Sequence, residues 1–304
     1  MRIIDLLRYF YTVEFQTASI MKNIATLLMM MIASAVMANV SPSEKEALVK
    51  LYHATNGAQW KKTWDLKSPV TTWYGVKIQN DKVVAIDLSN NNLNGELPKD
   101  LKRLVHLQDL RLFRNALTGS IPAEIGQLKS LKSLNLAFNK LSGTIPSTIG
   151  DLATLESLEL YMNRLTGELP KEIGNLKSLK TLSLYNNELS GNIPTTLYGM
   201  TSLKVLLLSS NKFTGKLSPD VANLANLENL SLFENNLDGQ VPFDLERING
   251  LKEMNISYNQ FSGLVSRHLA QLDTLNMTMV NEQGVASTLK VKTEDKNSAL
   301  AAED

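Results

Sequence analysis

The chain contains no cysteine in 304 residues. That absence removes disulfides, thiolate metal sites, a cysteine nucleophile and a lipid-modified cysteine anchor together. It leaves the redox compartment open, because an exported chain with a continuous core can do without disulfides. An excess of one charge is missing too: 31 Lys and Arg stand against 30 Asp and Glu, a formal net charge of +1. Without a global field, the composition favours neither nucleic acid nor an anionic membrane as a partner. Aromatic residues are 6% of the chain and hydrophobic residues 43%, so the core has to be built mainly from aliphatic side chains. Histidine is scarce, and His53, His106 and His268 follow no metal-ligand or catalytic spacing. Neither a phosphate-binding glycine loop nor a Gly-x-Ser-x-Gly elbow occurs. No cofactor is implied.

What the chain does contain is a repeat. In Leu131–Thr154 the residues Leu131, Leu134, Leu136, Asn139, Leu141, Gly143, Ile145, Pro146, Ile149 and Leu152 form a pattern of period 24. Its first position falls at Val83, Leu107, Leu131, Leu155, Leu179, Leu203, Leu227 and Leu251, and a decayed copy opens at Leu275. A fixed period of this length signals a solenoid, and L-x-x-L-x-L-x-x-N is the leucine-rich-repeat signature. The expected fold is α/β and strand-dominated: a leucine-rich-repeat horseshoe or superhelix with a parallel concave β-sheet and an N-terminal helical cap.

Each position in the repeat has its own physical task. The L-x-x-L-x-L segment is a short strand whose leucines point inward and stack from coil to coil about 4.8 Å apart. The asparagine column, Asn91, Asn115, Asn139, Asn163, Asn187, Asn211, Asn235 and Asn259, has no gap. Its amides are expected to turn inward and satisfy backbone groups that have left the sheet. An equally unbroken glycine column, such as Gly143 and Gly167, marks tight backbone or positive φ. Proline at the sixteenth position suits an irregular convex side. Repeats six and eight carry Ser218 and Ser266 there and are expected to bend differently.

Ahead of the array, Met21-Lys22-Asn23 followed by an apolar run and the small residues Ala33, Ser34, Ala35 and Ala38 reads as a secretory signal over 21–38. The run is too short to span a bilayer. Residues 1–20, with Asp5, Arg8 and Glu14, then read as a misassigned start, with translation opening at Met21. A cap follows at 39–82. Ser41, Pro42 and Glu44 predict a capped helix carrying Leu48, Leu51 and Tyr52 on one face. Trp60, Trp64 and Trp73 fall within 14 residues and suit a plug for the open end of a solenoid. A carbohydrate-stacking platform is the functional rival. Eight repeats occupy 83–274, a degenerate coil 275–283 and a flexible tail 284–304.

The consensus LxxLxLxxNxLxGxIPxxIGxL resembles the plant-type leucine-rich repeats of receptor-like kinases and polygalacturonase-inhibiting proteins. Residues 47–76 resemble the cap that precedes such repeats in secreted bacterial proteins of this type. They are also similar to the plant cap, with Trp73, Gly75 and Val76 aligned but Thr71 and Ile78 at its two cysteine positions. The resemblance implies a curved scaffold that presents its concave sheet to a protein, a peptide or a glycan. It implies no receptor signalling, because the sequence holds no kinase.

Side chains at the third, fifth, seventh and eighth positions are expected to project from the concave sheet. Most are small or polar. Against them stand Phe113, Phe138, Tyr161, Met162, Tyr185, Leu207, Phe233 and Tyr258, with Arg111, Arg114 and Glu159 among them. Rings on neighbouring coils are expected to form a contiguous patch of the kind that marks an interaction site; the alternative is that they cover the strand edge and stabilise the sheet. The function these residues support is non-catalytic binding, secreted or in the periplasm or cell envelope, with a protein or peptide as partner and a glycan as the other candidate. No nucleic acid and no stable membrane insertion after signal removal are expected. The alternative is a polysaccharide-acting enzyme or a carbohydrate-targeting subunit.

Overall fold

The computed structural model describes Lys22 and residues 40–292, with 274, 276 and 282 excepted. The chain divides at Asn39 and Val40 into two compact units, and the second carries the array. Apart from Lys22, the expected start and signal segments lie outside the described residues, as does the tail beyond 292.

Helix α1 (Pro42–Ala54) opens the second unit with the expected cap. The Glu44 amide donates to Ser41 Oγ at 3.3 Å, and the Ser41 hydroxyl donates back to Glu44 Oε2 at 2.8 Å. Glu44 Oε1 accepts from the Val83 amide at 3.2 Å, so the same buried carboxylate that closes the cap also ties α1 to the first repeat.

All three tryptophans are 3–5% exposed. Trp64 stacks on Trp73 at 4.7 Å and meets Trp60 edge-on at 4.9 Å. Their indole N–H groups donate to Thr55 O, Tyr74 O and Asp65 O. Rings with both faces buried and their polar tips satisfied plug the core. None of the three tryptophans offers an exposed ring to the stacking-platform reading.

A hairpin of Val76–Gln79 against Lys82–Asp87 is the first edge of a nine-stranded sheet, antiparallel only at that pair. Seven parallel three-residue strands follow, from Asp109–Arg111 to Glu253–Asn255. Every residue pairs with its equivalent one repeat later, as in Leu110 with Leu134 and Leu134 with Leu158. Side chains alternate along a strand, so Leu134, Leu158 and Leu182 are fully buried while the residues between them face the concave side.

A second parallel sheet of six strands, running from Ser142–Gly143 to Gln260–Ser262, lies on the residues around the glycine column. The sequence pattern predicted tight backbone or positive φ there, without a strand. The glycines do hold positive φ, +78° at Gly167, but inside these strands. On the convex side each proline precedes a five-residue 3-10 turn, as Pro146 does for Ser147–Asp151. Repeat six keeps that turn over Pro219–Asn223, because the Ser218 hydroxyl accepts from the Asp220 amide. It therefore does not differ as expected. Repeat eight does: Ser266 caps an α-helix, α2 (Arg267–Leu272).

The asparagine column interlocks the coils. Asn163 Nδ2 donates to Leu160 O at 2.9 Å in its own repeat and to Leu136 O at 3.0 Å in the preceding one. Its Oδ1 accepts from the Leu141 amide at 3.0 Å. Asn139, Asn187, Asn211, Asn235 and Asn259 repeat this arrangement. Asn115 accepts from two amides, Asn91 and Leu93. Asn91 departs from the rest. It exchanges bonds with the backbone of Lys62 and so fastens the array to the tryptophan cap.

At the far end Asp273 replaces the asparagine chemistry. Its buried carboxylate accepts from the amides of Ile256, Leu275 and Met277 and from the Ser257 hydroxyl. Strand Thr278–Val280 then pairs with Ala286–Thr288, and Lys290–Val291 pairs with Leu264–Val265. Residues 284–292, expected in a flexible tail, are thus strand-bearing. Few large side chains are needed there, because these strands are held by backbone bonds to an edge that is already built.

Candidate functional site

The strands cover only the third to fifth positions, so the seventh and eighth lie just past them. At the eighth the backbone is left-handed in every repeat: φ is +53° at Arg114, +54° at Phe138, +53° at Met162 and +59° at Tyr258. Simple strand alternation therefore accounts for the third and fifth positions only. The eighth position faces out because the chain reverses hand there, and the cost is about 1–2 kcal/mol for a residue other than glycine. Hydrogen bonds hold the turn, since the carbonyls at the seventh and eighth positions accept amides from the preceding repeat, as Tyr161 O and Met162 O do.

Rings line this rim. Phe113 meets Phe138 edge-on at 5.3 Å, Phe138 meets Tyr161 at 5.7 Å, and Tyr161 stacks on Tyr185 at 4.5 Å and 11°. Four successive repeats thereby contribute to one row. Phe233 and Tyr258 form a separate pair at 5.2 Å. Phe138 and Tyr258 are exposed, and the other four rings are half-buried, as are Met162 and Leu207.

Charge is distributed unevenly among the predicted residues. Arg111 is paired within its own strand, Nε and Nη2 reaching Asp109 at 3.0 and 2.7 Å. Arg114 is exposed and forms no ion pair among the described residues. Glu159 is held by two neutral donors, Asn135 Nδ2 at 2.9 Å and the Ser157 hydroxyl at 3.1 Å. Burial raises the Tyr161 and Tyr185 hydroxyl pKa values, and the Glu159 charge adds to the rise at both.

Pattern reading missed the second position. There Lys180 meets Glu156 at 2.6 Å, and Lys204 and Lys252 hold Glu228 from both sides at 2.8 and 2.5 Å. Hydrogen bonds from those lysines lower the Glu228 pKa to about 2. The signal was visible as a column of charge of both signs, Lys132, Glu156, Lys180, Lys204, Glu228 and Lys252. Depressions of about 250 Å³ and 390 Å³ lie at the two ends, the first bordered by Lys77, Asp109 and Lys132, the second by Glu234, Tyr258 and Asn281. Among the described residues no group of three His, Asp or Glu could hold a metal ion, and no helix is long and apolar enough to cross a membrane.

The family described as leucine-rich repeat region matches residues 158–284, and the leucine-rich repeat itself matches 82–104, 106–128 and 130–152. This chain is a leucine-rich-repeat protein. Among solved structures, the repeat protein is similar to the plant peptide hormone receptor RGFR1 in complex with RGF2, with 30% identity and a TM-score of 0.61 over 69% of this chain and 32% of that one. It is similar to the Arabidopsis receptor kinase HAESA in complex with the peptide hormone IDA and the co-receptor SERK1, with 27% identity and a TM-score of 0.60 over 83% and 46%. A plant ice-binding protein shares the fold at 24% identity and a TM-score of 0.60, over 84% and 89%. The leucine-rich-repeat protein thus spans a third to a half of the receptors' length. No curated protein matches it.

Proposed function

We propose that this leucine-rich-repeat protein is a non-catalytic binding scaffold, secreted or in the cell envelope, whose concave rim takes an extended peptide segment. The observation that carries the reading is the continuous ring row Phe113, Phe138, Tyr161 and Tyr185 beside a sheet whose outward side chains are mostly small or polar. Clustered exposed rings mark interaction surfaces, and tyrosine is enriched among residues that dominate binding energy. Three coil spacings make the row about 14 Å long. An extended peptide of about four residues matches that length. Support also comes from the likeness to receptor ectodomains solved with peptide hormones. Export is supported by the apolar segment ahead of the cap.

The test is panning of a displayed peptide library against the wild-type chain, followed by calorimetric titration of the enriched peptides. The Tyr161→Ala, Tyr185→Ala double variant is expected to lose about 2 kcal/mol or more of binding with its circular dichroism unchanged. Unchanged affinity would remove the ring row from the site.

A further inference from the structure

The ring row has one interruption. Repeat six carries Ser209 at the seventh position, where repeats five and seven carry Tyr185 and Phe233. Tyr161 covers one face of Tyr185 at 4.5 Å, and on the other side the adjacent coil offers only a hydroxymethyl group. Phe233 stands two coils beyond Tyr185, which places the two positions roughly 9.6 Å apart at the usual strand spacing. A flat group between two rings needs about 7 Å from ring to ring, at ordinary contact distances. The gap is therefore wide enough for one planar group and too narrow for two. Leu207, two positions before Ser209, is half-buried, and the Ser209 hydroxyl is already engaged with that of Ser231.

Charge says which planar group. Glu234, in the repeat beyond the gap, accepts from the Ser210 hydroxyl at 2.6 Å. Glu159, on the near side, is close enough for its charge to act on Tyr185. Neither forms an ion pair among the described residues, in contrast to Asp109, Glu156 and Glu228. In register between Glu159 and Leu207 lies Ser183, 3% exposed and with no partner for its hydroxyl. The neighbourhood thus holds two carboxylates without an ion-pair partner and one buried hydroxyl without a hydrogen bond.

We propose that this gap is a slot for one arginine side chain of the bound segment, its guanidinium sandwiched between Tyr185 and Phe233 and its charge set against Glu234 and Glu159. The inference rests on the concave-rim reading above and adds the chemistry of the occupant. Arginine fits because its guanidinium is planar, stays charged, stacks on aromatic faces and offers several donors to carboxylates. Lysine brings the charge without the plane. Phenylalanine brings the plane without the charge.

The experiment is an immobilised array of ten-residue peptides, acetylated and amidated, with varied flanks and a single central Arg, Lys, citrulline or Phe, probed with the full chain. Retention on Arg is expected to exceed that on citrulline, its neutral planar counterpart, and on Lys by about tenfold, or 1.4 kcal/mol. Ser209→Phe fills the gap with a ring that repeats two, four, five and seven accommodate at the same place, and should erase the preference while circular dichroism stays unchanged. Glu234→Gln should reduce it. Equal retention on Arg and citrulline, or an undiminished preference in Ser209→Phe, overturns the slot. Retention that ignores the central residue but is lost in Tyr161→Ala, Tyr185→Ala overturns the slot and leaves the rim reading standing. No retention on any peptide overturns both.

Discussion

Replacing Asn163 by alanine probes the interlock between coils at the middle of the array. The asparagine makes three close bonds to backbone: from its Nδ2 to Leu160 O and Leu136 O, and to its Oδ1 from the Leu141 amide. The three lost bonds are not equivalent. Leu136 O keeps Asn139 Nδ2 at 3.0 Å as a second donor, and Leu160 O keeps Asn187 Nδ2 at 3.1 Å. Each of these carbonyls is weakened rather than stranded, at about 0.5 kcal/mol apiece. The Leu141 amide loses its acceptor inside the core, which costs about 1–3 kcal/mol. The sum is about 2–4 kcal/mol. Guanidinium unfolding should be followed by two probes, tryptophan fluorescence for the cap and far-ultraviolet circular dichroism for the whole array. Because the stability of a solenoid is a sum over nearest-neighbour interfaces, a weakened central interface should also pull the two transitions apart. The reference variant is Asn226→Ala, whose side chain makes one exposed bond to Thr201 O. A midpoint for Asn163→Ala no lower than that of the reference would refute the interlock.

Three further outcomes are expected. In Gly126→Ala the new methyl would lie 2.3 Å from the Thr148 carbonyl of the next turn, so the convex turns must separate, at about 1–3 kcal/mol of stability in thermal unfolding. Asp273→Ala removes the acceptor of three amides and one hydroxyl at the C-terminal end; hydrogen exchange at Leu275 and Met277 should accelerate while the mid-array amides stay protected. Lys204 and Lys252 depress the Glu228 pKa to about 2, so its contribution is complete above the unfolded carboxylate range and fades as pH falls from about 4.5 to 2. Glu228→Gln should flatten that part of the stability–pH curve, and an unchanged curve would show the lysine pairs to be inert.

The repeat period, the inward leucines, the capped first helix and the tryptophan plug could all be read from residue spacing, because each follows from a pattern that only one geometry satisfies. Two features escaped. The second sheet was hidden because its strands contain the glycine column, and glycine signals a turn unless the neighbouring coils are known to pair with it. The left-handed eighth position was hidden because Arg114, Phe138, Met162 and Tyr258 are not residues that announce positive φ. Stacked coils impose that conformation through hydrogen bonds 24 residues away, which no local window reveals. For the same reason the ring row was legible as a set of residues, whereas the pairing of Arg111 with Asp109 needed side-chain geometry.

In-register stacking makes the length of the array a matter of whole units. Each coil pairs its strand with the same residues of the coils on either side, so removing 203–226 as a block would set Leu182 against Leu230 in the register that Leu182 and Leu206 now share. The core would close again with one layer fewer. On the rim the same deletion would bring Tyr185 beside Phe233 and turn a broken row into six consecutive rings. Copy number, the simplest change a duplicated sequence can undergo, thereby sets whether this rim has a gap, while a shorter insertion would have to bulge from a convex turn to leave the strand register intact.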